Sequence, residues 1–243
     1  MQTGIVHSIE TFGTLDGPGT RYVLFLKGCP LRCIFCHNPD TWKMEGGVEK
    51  TTGEILEDVL RTRSFYKKGG VTISGGEPML QHDFVKELLS LFRENNIHTA
   101  LDTAGSIEIE KSSELIDLAD MLLLDMKAPT ADLFETITGS PMKNSLDTLD
   151  YCEKTGKRVW IRHVVVPGYT DSSEDAEALG NLLKGYKCIE YVDLLPFHKL
   201  GEYKWKELGI PYKLYDVNEP DSSTMEKHIE ILGRYGLKAR YNH

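Results

Sequence analysis

Six short apolar runs recur along this 243-residue chain, each meeting a polar or reactive side chain at or near its C-terminal end. They span 21–27, 71–74, 98–102, 121–126, 158–166 and 189–195. Such runs read as buried strands. Helical patterns separate them, at 51–66, 82–95, 110–119, 130–138, 144–155 and 173–184. The first carries a capping box from Thr51 to Glu54, with Ile55, Leu56, Val59 and Leu60 on one side. The second presents Phe84, Val85, Leu88, Leu89 and Phe92 as an apolar face. After an irregular stretch over 196–221, a last helix at 222–235 leads to a short strand at 237–241.

Strand–helix alternation of this kind implies a parallel sheet with helices outside. Six units are too few for a closed eight-stranded barrel, so a doubly wound sheet and an incomplete barrel both fit the periodicity. The strand ends add a second constraint. In order they carry Gly28-Cys29, Gly75-Gly76-Glu77, Asp102-Thr103, Asp125-Met126-Lys127, Arg162-His163 and Pro196-Phe197-His198. Parallel barrels gather their active sites on the C-terminal face of the strands. Six such ends point to one large site.

Composition narrows the class. Twenty-eight basic against 37 acidic residues leave a formal charge of −9, which argues against nucleic acid as a partner. No apolar run approaches a membrane span, and residues 1–10 do not resemble an export signal. The expected compartment is the cytoplasm, where five cysteines favour metal or redox chemistry over disulfides. Cys152 lies in a helical pattern and Cys188 just before a strand, and both read as small semi-buried apolar residues.

The other three, Cys29, Cys33 and Cys36, are spaced C-x3-C-x2-C. A zinc site would need His37 as fourth ligand, and so close a set would wrap the metal poorly. Cys33 to His37 also matches the haem-attachment pattern C-x-x-C-H, which leaves Cys29 without a role. Chance clustering of three cysteines out of five is improbable. A [4Fe–4S] cluster held by three thiolates keeps one iron free for a small molecule.

C-x3-C-x2-C after the first strand resembles the signature of the radical S-adenosylmethionine (SAM) enzymes. Gly75-Gly76-Glu77-Pro78 after the second strand resembles their next motif. The resemblance narrows to the glycyl-radical enzyme activases. It rests on Asp16-Gly17-Pro18-Gly19-x-Arg21, on GCPLRCIFCHNPDTW at 28–42 and on LDTAG at 101–105. LDMK at 124–127, VWIR at 159–162, VPG at 166–168 and LLPFHKLG at 194–201 extend it to most of the chain. Activases with a second, ferredoxin-like unit carry extra cysteines after the first loop. Residues 37–74 hold none, which favours the one-cluster kind.

The resemblance implies an α/β fold, a partial (β/α)6 TIM-like barrel. It implies one radical SAM domain over 1–243, with an N-terminal extension over about 1–20, a core barrel over about 21–200 and a closing segment from about 201. It implies one [4Fe–4S] cluster on Cys29, Cys33 and Cys36. A reduced cluster cleaves SAM to a 5′-deoxyadenosyl radical, which takes a hydrogen atom from a glycine Cα of a partner of the pyruvate formate-lyase kind. Phe35, Asn38, Gly75, Gly76, Glu77, Asp102, Lys127, Arg162 and His198 are the implied SAM contacts, with Glu77 meeting the ammonium and Phe35 the adenine. Asp102, Thr103 and Asp125 are implied ligands of a monovalent cation, Na+ or K+. Asp16 is implied to meet the incoming peptide. His37 is an orienting residue at best, and His163 belongs to the outer face of its strand. Reduced flavodoxin or ferredoxin is the implied electron donor, and a monomer the expected state. The aromatic residues at 203, 205, 212 and 215 shape either a docking surface or a packed closing segment.

Overall fold

The computed structural model describes every residue except Lys67, Asn242 and His243, so the last two positions of the expected closing segment lie outside the described residues. In chain order the elements are β1 (Thr3–Gly13), β2 (Arg21–Leu26), β3 (Val48–Thr51), α1 (Thr52–Thr62), β4 (Gly70–Gly75), α2 (His82–Glu94), β5 (Thr99–Thr103), α3 (Ile109–Leu118) and β6 (Met121–Asp125). There follow α4 (Ala131–Thr138), α5 (Lys143–Thr155), β7 (Val159–Val165), α6 (Ser173–Leu183), β8 (Ile189–Pro196), α7 (Glu202–Glu207), α8 (Ser222–Arg234) and β9 (Ala239–Arg240).

One sheet contains all the strands, in the order β3-β1-β2-β4-β5-β6-β7-β8-β9. The neighbours from β2 to β9 pair in parallel. Each parallel strand lies beside the next one in sequence. A doubly wound sheet would reverse this order at a switch point, so the progression is that of a barrel. The edge strands β3 and β9 do not meet, and the barrel stays open.

The packing explains the alternation. In α2, Phe84, Val85, Leu88, Leu89 and Phe92 are all buried. The expected capping box closes α1: Thr51 accepts from the Glu54 amide, and the Glu54 side chain accepts from the Thr51 amide. Within α1 the apolar face is narrower than the sequence pattern, since Leu60 is exposed. On β6 the side chains alternate. Leu122 and Leu124 join the large core under the helices, whereas Met121 and Leu123 pack with Ala100 and Trp160 in a separate cluster on the other face.

Three elements lack a counterpart in the sequence pattern. β1 and β3 add an antiparallel edge beside β2. β1 is exposed along much of its length, so it carries little apolar signal. α7 is six residues long and buries only Trp205.

His163 occupies the helix-facing side of β7, as expected, but it is fully covered there. Its Nδ1–H donates to the Met126 carbonyl at 2.7 Å. Burial pushes its pKa down to about 4, and nearby His228 acts in the same direction. The unfolded chain therefore binds a proton here between about pH 6.5 and pH 4 that the folded chain refuses. Stability is full above that window and falls as the pH drops through it. The loss between about pH 7 and pH 5 is on the order of 2 kcal/mol. Denaturant unfolding of the wild type and His163→Phe at both pH values checks this, with the variant showing the smaller difference.

Candidate active site

The cysteine loop has no regular secondary structure over 28–38, so its amide groups need partners elsewhere. Gly28 N–H donates to Thr41 O at 2.7 Å and Cys29 N–H to Trp42 O at 3.1 Å. Arg32 and Ile34 donate to Thr138 O and Ile137 O, at 2.8 and 3.0 Å. Those carbonyls end α4, where a helix leaves its last acceptors free. Cys36 N–H turns back to Cys33 O at 3.1 Å, and the Trp205 indole N–H donates to Cys36 O at 2.9 Å. A loop pinned in this way presents its thiols in one arrangement.

All five cysteines are free thiols. Cys33 is buried, and Cys29 and Cys36 are half-buried. Burial, then the Glu77 carboxylate and neighbouring Cys33, push Cys29 up to about 12, and burial does the same to Cys33. Cys36 is raised for the same first reason. Lys127 opposes the shift at Cys33 and Cys36. Three crowded thiols of this kind become thiolates only around a strongly cationic centre. His37 is turned elsewhere: its ring lies 4.0 Å from that of His198, and its Nε2–H donates to His198 O at 3.1 Å. Among the described residues no three His, Cys, Asp or Glu side chains converge to hold a single metal ion.

The two glycines after β4 lie beneath this loop. A Cβ on Gly76 would sit 2.1 Å from Gly28 O and 3.3 Å from the Cys29 Cβ. Gly75 has φ +118, and a Cβ there would sit 2.1 Å from the Leu26 amide nitrogen. Their small size lets β4 end against β2 and the cysteine loop. Glu77 N–H donates to Gly28 O at 2.7 Å. Its carboxylate is buried and accepts from Thr103 Oγ1 at 2.7 Å, Ser106 Oγ at 3.0 Å, Ala104 N–H at 3.2 Å and Met79 N–H at 3.3 Å. Burial raises its pKa despite these four donors. The expected meeting with an ammonium group thus falls on a carboxylate already filled by protein donors, which ties β4 to the loop after β5.

Charged side chains converge on the inner face of the sheet. Arg162 on β7 donates to Asp102 Oδ2 at 2.9 Å, and Ser74 Oγ donates to the same oxygen at 2.6 Å. Arg162 Nε lies 3.9 Å from Asp125 Oδ1, and Lys127 Nζ donates to Asp125 Oδ2 at 2.6 Å. Burial works against both cations, but Asp102 and Asp125 hold their pKa values above the ordinary range. Lys127 Nζ also stands 5.7 Å from the centre of the buried Phe35 ring. Asp102 Oδ1, Arg162 Nε and His198 Nδ1 are buried and have no hydrogen-bond partner.

Of the expected cation set, Thr103 is hydrogen-bonded within the protein. Its hydroxyl donates to Glu77 and accepts from Gly105 N–H at 2.8 Å. The positive charge between Asp102 and Asp125 is the Arg162 guanidinium. Asp16 joins this group electrostatically: burial raises its pKa, and Arg162 is the strongest opposing influence. Its carbonyl accepts from Thr72 Oγ1 at 2.6 Å, and the fully buried Arg21 donates to that hydroxyl at 2.5 Å.

The closing segment grips the loop from the other side. Lys204 on α7 donates to Asn38 Oδ1 at 2.8 Å and to Asp40 Oδ2 at 3.0 Å. His7 on β1 meets Asp40 Oδ2 at 2.7 Å. Of the four aromatic residues in that segment, Trp205 and Tyr212 pack together at 5.1 Å, while Tyr203 and Tyr215 are exposed. His7 and Lys204 lie in no motif, and Asp40, within the 28–42 segment, carried no role of its own. Only the loop's need for anchors could have indicated them.

The sequence profile of the radical SAM superfamily matches residues 23–179. The pyruvate formate-lyase-activating enzyme of Streptococcus mutans is 43% identical, covering 99% of this chain and 96% of its own. That of Clostridium pasteurianum is 44% identical, covering 96% and 99%. Among solved structures, Streptococcus suis SuiB bound to its precursor peptide SuiA aligns with a TM-score of 0.73 at 18% identity, over 97% of this chain and 50% of that one. A domain of pyruvate-formate lyase-activating enzyme from Bacteroides vulgatus aligns with a TM-score of 0.61 at 24% identity, over 72% and 99%. These structural likenesses establish the partial barrel fold, and the sequence relatives establish the lineage: the chain belongs to the radical SAM superfamily and, within it, to the pyruvate formate-lyase-activating enzyme family.

Proposed function

We propose that this chain activates pyruvate formate-lyase by installing its glycyl radical. The chemistry supplied by a bound [4Fe–4S] cluster and SAM is one-electron cleavage of the sulfonium, whose 5′-deoxyadenosyl product removes a hydrogen atom from a glycine Cα. The observation that carries this function is the pinned loop of three free thiols, together with three buried polar atoms at the strand ends that have no hydrogen-bond partner. Buried polar atoms without partners are costly, and each here has the right character for a polar ligand. Arg162 Nε–H suits a carboxylate, Asp102 Oδ1 an ammonium or hydroxyl, and His198 Nδ1 an adenosine group.

Cys29, Cys33 and Cys36 hold the cluster. Arg162 and Lys127 keep positive charge near the methionine end of SAM. Gly75 and Gly76 bring backbone to its edge, with Glu77 fixing the turn. Phe35 and Asn38 shape the loop from inside. Asp102 and Asp125 complete the polar wall, and Asp16 meets the glycyl peptide. The whole chain acts as one radical SAM domain, working as a monomer in the reducing cytoplasm with flavodoxin or ferredoxin as donor. No described helix is long and apolar enough to cross a membrane.

Anaerobic mixing of the reduced, iron-loaded protein with SAM and inactive pyruvate formate-lyase should yield a glycyl-radical EPR signal. No signal there, with one on another glycyl-radical enzyme, would reassign the substrate. Alanine at Cys29, Cys33 or Cys36 should abolish iron retention and 5′-deoxyadenosine release, and Cys152→Ala should preserve both. Glu77→Gln places an amide N–H against existing donors. It should cost about 1–3 kcal/mol in denaturant unfolding of the metal-free protein.

A further inference from the structure

His37 directly follows the last cysteine of the loop, yet its side chain crosses to the segment after β8. Its ring lies against that of His198, with centroids 4.0 Å apart and planes 31° from parallel. Its Nε2–H donates to the His198 carbonyl at 3.1 Å. A carbonyl oxygen only accepts, so this nitrogen carries the hydrogen. Gly201 lets the two segments approach this closely: a Cβ there would lie 2.5 Å from the His37 carbonyl oxygen and 2.7 Å from its Cα. Just before the pair, the Phe197 amide donates to Val165 O at 3.1 Å, so the chain entering His198 is held to β7. Within His198 itself, Nδ1 is buried and has no hydrogen-bond partner. His37 therefore holds the backbone and one ring face of a residue whose own ring nitrogen stays uncommitted.

We infer that His37 is a positioning residue for the adenosine end of SAM, holding His198 in place by ring contact and by a hydrogen bond to its backbone. This rests on the reading given above, in which the cluster sits on Cys29, Cys33 and Cys36 and His198 Nδ1 meets adenosine. A histidine in an irregular segment loses rotamer freedom when a ligand captures it, and that loss weakens binding. Here the freedom is given up on folding, because the ring already lies against His37 and the backbone already carries the bond. The contact also fixes spacing. Cys36 and His37 are consecutive, so a shift of the cluster loop carries the His198 contact with it. One side chain thereby sets the adenosine end of the site against the cluster end. His37 acts through His198 and not as a ligand of the cluster, since its Nε2–H is committed to a carbonyl.

Anaerobic calorimetry of SAM binding to the reconstituted protein tests this, with the cluster kept oxidised so that SAM stays intact. The variants are His37→Ala, His198→Ala and the two combined, with iron content measured on each. His37→Ala should keep its iron and bind SAM roughly fivefold more weakly, the equivalent of one ordinary hydrogen bond. His198→Ala should weaken binding at least as much, and the double variant should be no weaker than His198→Ala alone. That non-additivity separates positioning from a general loosening of the loop, whose cost would multiply with that of His198→Ala. Multiplying losses, or wild-type affinity in His37→Ala beside a weakened His198→Ala, would overturn the inference and leave the proposed function standing. Wild-type affinity in His198→Ala removes the adenosine contact, and the inference with it. A wild type that retains no iron overturns the cluster assignment and all that rests on it. Should His37→Ala lose its iron, His37→Phe takes its place in the cycle with the same expected pattern, since it keeps a ring against His198 and removes the donor. Loss of iron in both would mean that His37 serves the cluster directly, and refutes the inference.

Discussion

The site depends on how an irregular loop satisfies its own backbone. Residues 28–38 form no helix or strand, yet much of the loop is buried. A buried amide without an acceptor costs about 1–3 kcal/mol. The loop meets this demand with carbonyls from three places: the turn at Pro39–Thr41 with Trp42, the end of α4, and its own chain at Cys33. Shifting the loop would break several of these bonds together. That coupling explains why the neighbouring parts are so restricted. Gly76 admits no Cβ against Gly28, and Gly201 admits none against His37, whose carbonyl oxygen would lie 2.5 Å away. The arrangement of thiols is a consequence of backbone accounting completed elsewhere in the fold.

Charge adds a second layer. Asp16, Asp102 and Asp125 face Arg162 and Lys127 in a region largely withdrawn from water. Isolated buried charges are prohibitive, so the groups stabilise one another. The balance is incomplete in a directed way. Asp102 spends Oδ2 on Arg162 and Ser74 and leaves Oδ1 without a hydrogen bond, while Arg162 spends NH1 and leaves Nε without one, 3.9 Å from Asp125 Oδ1. A zwitterionic ligand can use both ends of this pair without dismantling it. The protein ion pair holds this wall in shape and leaves Asp102 Oδ1 and Arg162 Nε without hydrogen-bond partners.

The parallel strands from β2 to β8 were legible because each opens on an apolar run and is flanked by a helical pattern. The capping box at Thr51 was legible because its signal is local. β1 escaped because much of its length is exposed, so it carries few apolar residues. α7 escaped because six residues carry too little periodicity to register. At the site, residue identity outran geometry. Glu77 and Thr103 stood out in the sequence as strand-end residues, but nothing local reveals that they bond each other at 2.7 Å across two strand ends. Likewise the burial of His163 depends on helices packed from distant parts of the chain.

The open barrel raises a mechanical question, because its edge strands β3 and β9 are unjoined. The cysteine loop supplies the missing tie. Asp40, just past the last cysteine, is bonded by His7 from β1 near the start of the chain and by Lys204 from α7 near its end. Burial alone would raise the Asp40 pKa, but these two partners hold it below the ordinary carboxylate range. Lys27, at the end of β2, also donates to the Asp40 carbonyl. The loop is thus clasped by both flanks of the half-barrel, and Asn38 and Cys36 are drawn into the same clasp through Lys204 and Trp205. A strand invisible to sequence periodicity, β1, therefore reaches the loop through His7, opposite the Lys204 contact from α7.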